Sequence, residues 1–426
     1  MDNCRVPPFS LLPSSFAQMR FLFIHQNFPG QFLHVARALA DNPAHEVIGI
    51  GEAANIQGRP ALHPRVRVLG YPFKDSASKE THRYIRDFEI HIRRAQALTQ
   101  MLTQLRDSEG FVPDVILAHT GWGEGLFLRE VFPGARILNY CEYYYQGQGG
   151  DMGFDPEFPQ GPDDQFRIRI KNSTQIHSLL AADGGISPTR WQQSLYPAEF
   201  RPRINIIHEG IDTALAAPDP QAWLEIRGQR FQVGDETVTY VARNLEPYRG
   251  FHTFMRSLSR LQALRPQARV IIVGGNDVSY GQRLPPGQSY RKRYCSEVQN
   301  QVDWSRVFFV GKLPYKDYLR VLQVSAAHVY LTYPFVLSWS MLEAMSVGCL
   351  LIGSRTAPVQ EVIEDGQNGL LTDFFDPQAL ADTIAQALAQ GPALAPLRQA
   401  ARQTIVERYD LTTRCLPEML ALLEAR

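Results

Sequence analysis

The sequence predicts an α/β protein built from two doubly wound parallel sheets that face each other across a cleft. Three observations lead there. Strand and helix patterns alternate through both halves of the chain, the arrangement that gives parallel sheets with crossover helices. The length, 426 residues, is too great for one ordinary core. A polar break, HEGID at 208–212, separates the two alternations. Such sheets bind ligands at the carboxyl ends of their strands, so two facing sheets imply a cleft with a site on each wall.

In the first half, RFLFIH (20–25) is an apolar strand that ends in the loop QNFPGQ, and 32–41 has helical spacing. Residues 45–50 form the next strand, and 81–105 a long helix with Arg and His on one side. PDVILAH (113–119) and GARILNY (134–140) are strands, the second running into a long loop, 141–163. A helix over 167–182, the short strand 184–187, a helix opened by Pro188 and the segment INII (204–207) complete this half. The second half alternates strand 237–243, helix 250–264, strand 269–275, strand 306–312, helix 314–325 and strand 328–333. Then come a helix carrying Glu343, a buried strand CLLIGS, a helix start at Pro358, a turn DGQNGLL, and helices at 377–390, 394–408 and 411–425. The expected division is a disordered tail over 1–19, a first domain over 20–208, and a second over 209–408. Segment 409–426 is expected to pack back on the first, and Met19 is a candidate start.

Composition narrows the classes. Lys+Arg and Asp+Glu are both 43, so the net charge is zero and nothing global argues for nucleic acid. Five scattered cysteines with no C-x-x-C pair fit reduced thiols in the cytoplasm. No apolar run is long enough to span a bilayer, and the first residues lack the pattern of a secretion signal.

The richest stretch is 333–371. It places a helix N-terminus beside one fixed carboxylate, Glu343. Unpaired N–H groups and the positive dipole end attract phosphate, and a carboxylate can accept two hydrogen bonds from a ribose diol. Arg243 and Arg249 flank the strand-to-helix loop VARNLEPYRG, where forked guanidinium donors suit a diphosphate. His119 ends a strand at the cleft edge, placed for a sugar hydroxyl or a proton, although a lone strand-end histidine is more often structural. Gly30 opens a helix where backbone can approach a ligand, but FPGQF is no dinucleotide fingerprint. The loop 141–163 mixes aromatics and carboxylates, which suits sugar recognition. Tyr143, Tyr144, Tyr145 and Asp151 are its candidate acceptor contacts. Basic stretches at 83–94, 167–171 and 291–293 read first as solvated helix faces and second as contacts with anionic lipid or acceptor.

With these residues in place, the chain resembles a family 4 retaining glycosyltransferase with the GT-B fold. The resemblance spans nearly all of 20–426 and is strongest in YVARNLEPYRGFHTF, VFFVGKLPYKDYLRVL and LEAMSVGCLLIGSRTAPVQEVIEDGQNGLL. It implies Arg243 and Arg249 as the basic pair and Glu343 as the ribose carboxylate. Ser338, Trp339 and Ser340 become the diphosphate-facing helix start. Gly311, Lys312 and Leu313 become the turn that reads the base, with Gly30 and His119 on the first wall. It also implies a UDP- or GDP-sugar donor, a glycan or glycolipid acceptor, and no obligatory metal. Placement is then cytoplasmic, at the inner membrane face if lipid is the partner. One departure stands out: the family carries a glutamate where this chain has Phe335, and glycine is common where it has Ser338. A nucleotide-sugar epimerase and a non-catalytic nucleotide-sugar-binding protein share the expected architecture; a dehydrogenase is more distant.

Overall fold

The computed structural model describes residues 18–74 and 77–425. The expected tail lies outside these residues except for Gln18 and Met19.

The first sheet contains β1 (Arg20–Ile24), β2 (Glu46–Glu52), β3 (Val66–Tyr71), β4 (Val115–His119), β5 (Arg136–Tyr140), β6 (Gly184–Ser187) and β7 (Ile204–Ile206). Its order is β3-β2-β1-β4-β5-β6-β7, and every pairing is parallel. The second sheet contains β10 (Thr237–Asn244), β11 (Arg269–Gly275), β12 (Val307–Gly311), β13 (Ala327–Tyr330), β14 (Leu351–Ser354) and β15 (Leu370–Thr372). Its order is β12-β11-β10-β13-β14-β15, again all parallel. Strand order reverses between β1 and β4 in one sheet and between β10 and β13 in the other. A crevice opens at each such switch point, and the residues that leave these four strands build the site.

Alternation along β1 shows how the first sheet is covered. Phe21 and Phe23 point into one layer with Val35, Ala36 and Leu39 of the helix Leu33–Asp41. Leu22 and Ile24 point into the other with Leu98, Leu102 and Leu105 of the helix Arg86–Glu109. The C-terminal helix Leu416–Glu424 adds Met419 and Leu423 to the first of these layers. Chain crossing is pinned where Ile211 pairs with Asp410. No helix of the described residues is long and apolar enough to cross a membrane.

Four strands depart from the sequence reading. β3 is an edge strand whose charged Arg67 and exposed Val68 hide its apolar face. β8 (Trp223–Ile226) and β9 (Gln229–Gln232) form an antiparallel hairpin outside both sheets. Its two-residue turn, Arg227-Gly228, has φ of 52° and 73°, the left-handed pair that short hairpins need. The segment read as the turn DGQNGLL turns only over its first part; Leu370–Thr372 continues as β15 on the sheet edge.

Two buried histidines make the fold sensitive to acid. His328 is wholly buried with Nδ1 2.8 Å from the Thr239 hydroxyl, and burial pushes it down to about 3. His91 is pushed down to about 4 by burial and then by Arg94. Both stay neutral when folded, while the unfolded chain binds their protons below 6.5. Their contribution is therefore complete above 6.5 and falls as pH drops toward 4 and 3. Urea unfolding is expected to lose about 1 kcal/mol per histidine between about pH 7 and about pH 5.5. His328→Asn should remove one such share, and an unchanged acid slope would disprove this origin.

Candidate functional site

The cleft between the sheets holds a cavity of about 570 Å³, and the switch points of both sheets line it. On the second wall, Arg249 follows the loop after β10. It is only 7% exposed, and its Nη1 donates to the Tyr330 hydroxyl at 3.0 Å and to Thr332 Oγ1 at 2.7 Å. It forms no ion pair with any described residue. Glu246, whose charge it feels, is occupied elsewhere. That carboxylate accepts the backbone N–H groups of Ser279, Tyr280 and Gly281 at 3.0, 3.1 and 2.9 Å. Burial disfavours the Arg249 charge, but Tyr330, Tyr280 and Glu246 raise its pKa nonetheless. A buried cation without a carboxylate is costly unless an anion completes it. Arg243, near the end of β10, is exposed to the same cavity, and its side chain has no hydrogen bond to a described residue.

The helix Trp339–Ser346 aims its N-terminus at these arginines from the far side of β13. Its start is more occupied than the sequence suggests. Ser338 N–H donates to the Tyr330 hydroxyl at 2.8 Å, Ser340 N–H to Ser338 Oγ at 3.3 Å, and Met341 N–H to the Ser338 carbonyl at 3.1 Å. Among these first amides, Trp339 N–H alone has no partner in the described residues. The Trp339 indole donates to Glu209 at 2.9 Å. Burial raises Glu209 to about 7, and burial lowers the adjoining His208 to about 3. The linker pair thus meets the cleft uncharged between about 3 and about 7.

The first wall is richer than the sequence reading allowed. His119, at the end of β4, is buried, stacks on Trp122 at 4.1 Å and does not line the cavity. Its Nε2 lies 3.3 Å from Glu142 Oε2. The titratable and charged groups that line the cavity from this half are His25, after β1, Arg59, Glu142, after β5, and the linker pair His208 and Glu209. Glu142 also accepts from Gln31 Nε2 at 2.8 Å. Burial opposes its ionisation, but His119, Gln31 and Arg243 outweigh it and hold the carboxyl below the usual range. Gly30 is there for His25: its φ is +48°, and a Cβ on it would meet His25 Nε2 at 2.6 Å. Sequence reasoning missed both His25 and Glu142, although the strand end RFLFIH carried the same signal as PDVILAH.

The remaining expected contacts sit apart. Glu343 accepts the hydroxyls of Tyr315 and Tyr318, each at 2.7 Å, and burial raises its pKa against those two bonds. Gly311, Lys312 and Leu313 leave the edge strand β12, and Lys312 lies 3.9 Å from Asp277. None of these four lines the 570 Å³ cavity. The basic stretches are largely spent within the chain. Arg94 pairs with Glu52 at 3.3 Å, Arg83 with Asp163 at 3.5 Å, Lys171 lies over the Tyr145 ring and Arg291 over Phe309.

Comparison with known proteins bears on the family and the fold. The model described as "Glycosyl transferase family 4 group" matches residues 43–216, and "Glycosyl transferases group 1" matches 223–404. The chain belongs to this glycosyltransferase family. It is 25% identical over 252 residues to the GDP-mannose-dependent alpha-(1-6)-phosphatidylinositol monomannoside mannosyltransferase of Mycolicibacterium smegmatis. That match covers 58% of this chain and 61% of that protein. It is 27% identical over 190 residues to the D-inositol 3-phosphate glycosyltransferase of Corynebacterium efficiens, covering 44% and 43%. The chain thus spans between 43% and 61% of these relatives' lengths. Sucrose-phosphate synthase from Thermosynechococcus elongatus superposes with a TM-score of 0.71 at 19% identity over 95% of this chain and 98% of that one. Anabaena HepE in complex with UDP-glucose gives 0.65 at 17% over 95% and 100%. The shared fold is GT-B.

At Phe335, where the sequence resemblance implies a glutamate, the structure shows what the aromatic ring does. It is buried against Tyr143 at 4.6 Å, Tyr280 at 4.9 Å and Tyr248 at 5.4 Å. Tyr143 and its neighbours come from the long loop after β5, which crosses to the second half as a strap. Tyr143 Oη lies 2.9 Å from Asp151 and 3.0 Å from the Pro334 carbonyl, and Tyr248 Oη lies 2.8 Å from Asp151. Tyr333 donates to Asp155 at 2.6 Å, His252 contacts it at 3.0 Å, and Glu157 pairs with Arg256. Of the residues expected to touch an acceptor, Tyr143 and Asp151 are thus buried in the seam, and Tyr144 packs on Tyr196. Tyr145, with the rim of Asp151, borders a separate cavity of about 770 Å³ along that seam. Asp155, Glu157 and His252 lie close enough to hold a metal, but their atoms already serve these ties.

Loss of a single tie should loosen the strap. Tyr143→Phe leaves the buried Asp151 one donor short and is expected to cost about 1–3 kcal/mol. Hydrogen exchange in 143–158 should rise with it. Unchanged exchange there would mean that the strap is held by other contacts.

Proposed function

We propose that the protein transfers a sugar from a nucleoside-diphosphate sugar to an acceptor hydroxyl, with retention at the anomeric carbon. The observation that carries this reading is Arg249, a buried guanidinium with no carboxylate, facing the same cavity as Arg243 and the free Trp339 amide. A diphosphate supplies the missing anion. Its charge grows as the bond from the anomeric carbon to the phosphate oxygen breaks, and preorganised cations and amides favour that change without a metal. The acceptor oxygen forms the new bond on the same face, and its proton passes to the departing phosphate oxygen. Nucleoside diphosphate and glycoside are the products.

In this reading Glu343 holds the ribose after Tyr315, which is 45% exposed, swings away from it. The turn Gly311–Leu313 then meets the base. UDP and GDP are the favoured carriers: a UDP-glucose complex is the subject of one structural neighbour, and a GDP-mannose-dependent enzyme is among the relatives. The acceptor is a glycan or glycolipid hydroxyl. His119 acts through Glu142, as a positioning residue.

Two measurements test this. Calorimetry with UDP and GDP should show tight binding of one of them, and Arg249→Met should weaken it by about 1.5–3 kcal/mol, the worth of a charged hydrogen bond. Equal affinity in the variant would remove Arg249 from the site. His119→Ala should lower turnover with little change in nucleoside diphosphate affinity. Wild-type turnover would reduce His119 to a core residue.

A further inference from the structure

The diphosphate reading gives His25 no task and Glu142 none beyond its contact with His119. His25 Nδ1 accepts the Asn27 N–H at 2.9 Å. Burial, then His119 and Arg59, keep the ring neutral. The single ring proton therefore sits on Nε2. That N–H is buried, in a residue that lines the cavity, and meets no partner with full hydrogen-bond geometry among the described residues. Gln31 donates to Glu142 and also interacts with the His25 ring, pulling its pKa up against burial. Glu142 is the opposite kind of group, an ionised acceptor whose side chain is 27% exposed to the same cavity. His119 Nδ1 accepts from Gly121 N–H at 3.0 Å, and its Nε2 lies 3.3 Å from Glu142 without hydrogen-bond geometry. A fixed donor and a fixed acceptor thus stand at the switch point of the first sheet, across the cleft from Arg249.

We propose that His25 and Glu142 together read the ring hydroxyls of the donor's sugar. The proposal rests on the function argued above and names the residues that set its sugar specificity. A sugar attached to a diphosphate at Arg249 extends from that wall toward this one. One hydroxyl oxygen accepts from His25 Nε2–H, and a second hydroxyl donates to Glu142. Position 335 offers no such acceptor, because Phe335 is packed into the strap seam. Hydroxyls of an acceptor sugar present the same chemistry, so the experiment must separate the two sources.

The test compares Glu142→Gln and His25→Phe with the wild type in calorimetric titrations of UDP, GDP, UDP-glucose and GDP-mannose, followed by turnover assays with the sugar conjugate that binds. Both variants should bind the nucleoside diphosphate as the wild type does, which also reports an intact fold. Affinity for the nucleotide sugar should fall about tenfold, as loss of one charged or buried hydrogen bond does. Unchanged nucleotide-sugar affinity with a raised acceptor KM would assign the pair to the acceptor and overturn the proposal. Unchanged behaviour throughout, or loss of nucleoside diphosphate affinity itself, would overturn it as well. Absence of any nucleotide binding in the wild type would instead reject the underlying function.

Discussion

The site is organised around a buried guanidinium whose natural counter-ion is absent from the chain. Arg249 is held by two hydroxyls, Tyr330 and Thr332, which fix its direction without neutralising it. Glu246, the acid that would otherwise pair with it, is bound to three consecutive amides of another loop. The fold therefore keeps a cation poised in low dielectric, where its attraction for an incoming anion is greatest. Arg243 and the start of the helix Trp339–Ser346 add to the same field. The two switch points place this wall opposite His25 and Glu142, so the proposed anion-binding and hydroxyl-reading groups share one crevice.

The strap changes how the two halves relate. Phe335, Tyr143, Asp151, Tyr248 and Tyr333 form one aromatic and hydrogen-bonded seam, in which Tyr143 belongs to the second half's core. The ring at 335 is an anchor for that seam, which accounts physically for an aromatic residue where the resemblance implies an acid. Any opening of the cleft must leave these ties intact or bend around them. The loop's carboxylates, which read as sugar contacts in the sequence, are used mainly to hold the halves together.

Much of the fold was legible because each central strand is a long apolar run that ends at a polar or glycine signal. Edge elements were not. β3 alternates with charges, and the hairpin at 223–232 shows only a two-residue turn whose left-handed Arg227 no propensity announces. The arginines and the helix start were legible from their places after β10 and β13. His25 carried the same strand-end signal as His119 and was passed over, whereas Glu142, inside a long loop, gains meaning only once strand order is known. β1, β4 and β5 become neighbours through the topology, and His25, His119 and Glu142 meet there despite lying far apart in sequence. The Ser338 cap and the two tyrosines on Glu343 are side-chain choices that no spacing reveals.

The central claim is that Arg249 awaits a pyrophosphate. A crystal structure of the protein with its bound nucleoside diphosphate tests it most directly. The account predicts phosphate oxygens within hydrogen-bond reach of Arg249, Arg243 and the Trp339 amide, and the sugar-bearing oxygen turned toward His25 and Glu142. Phosphates seated elsewhere, with Arg249 still bound only to Tyr330 and Thr332, would contradict it.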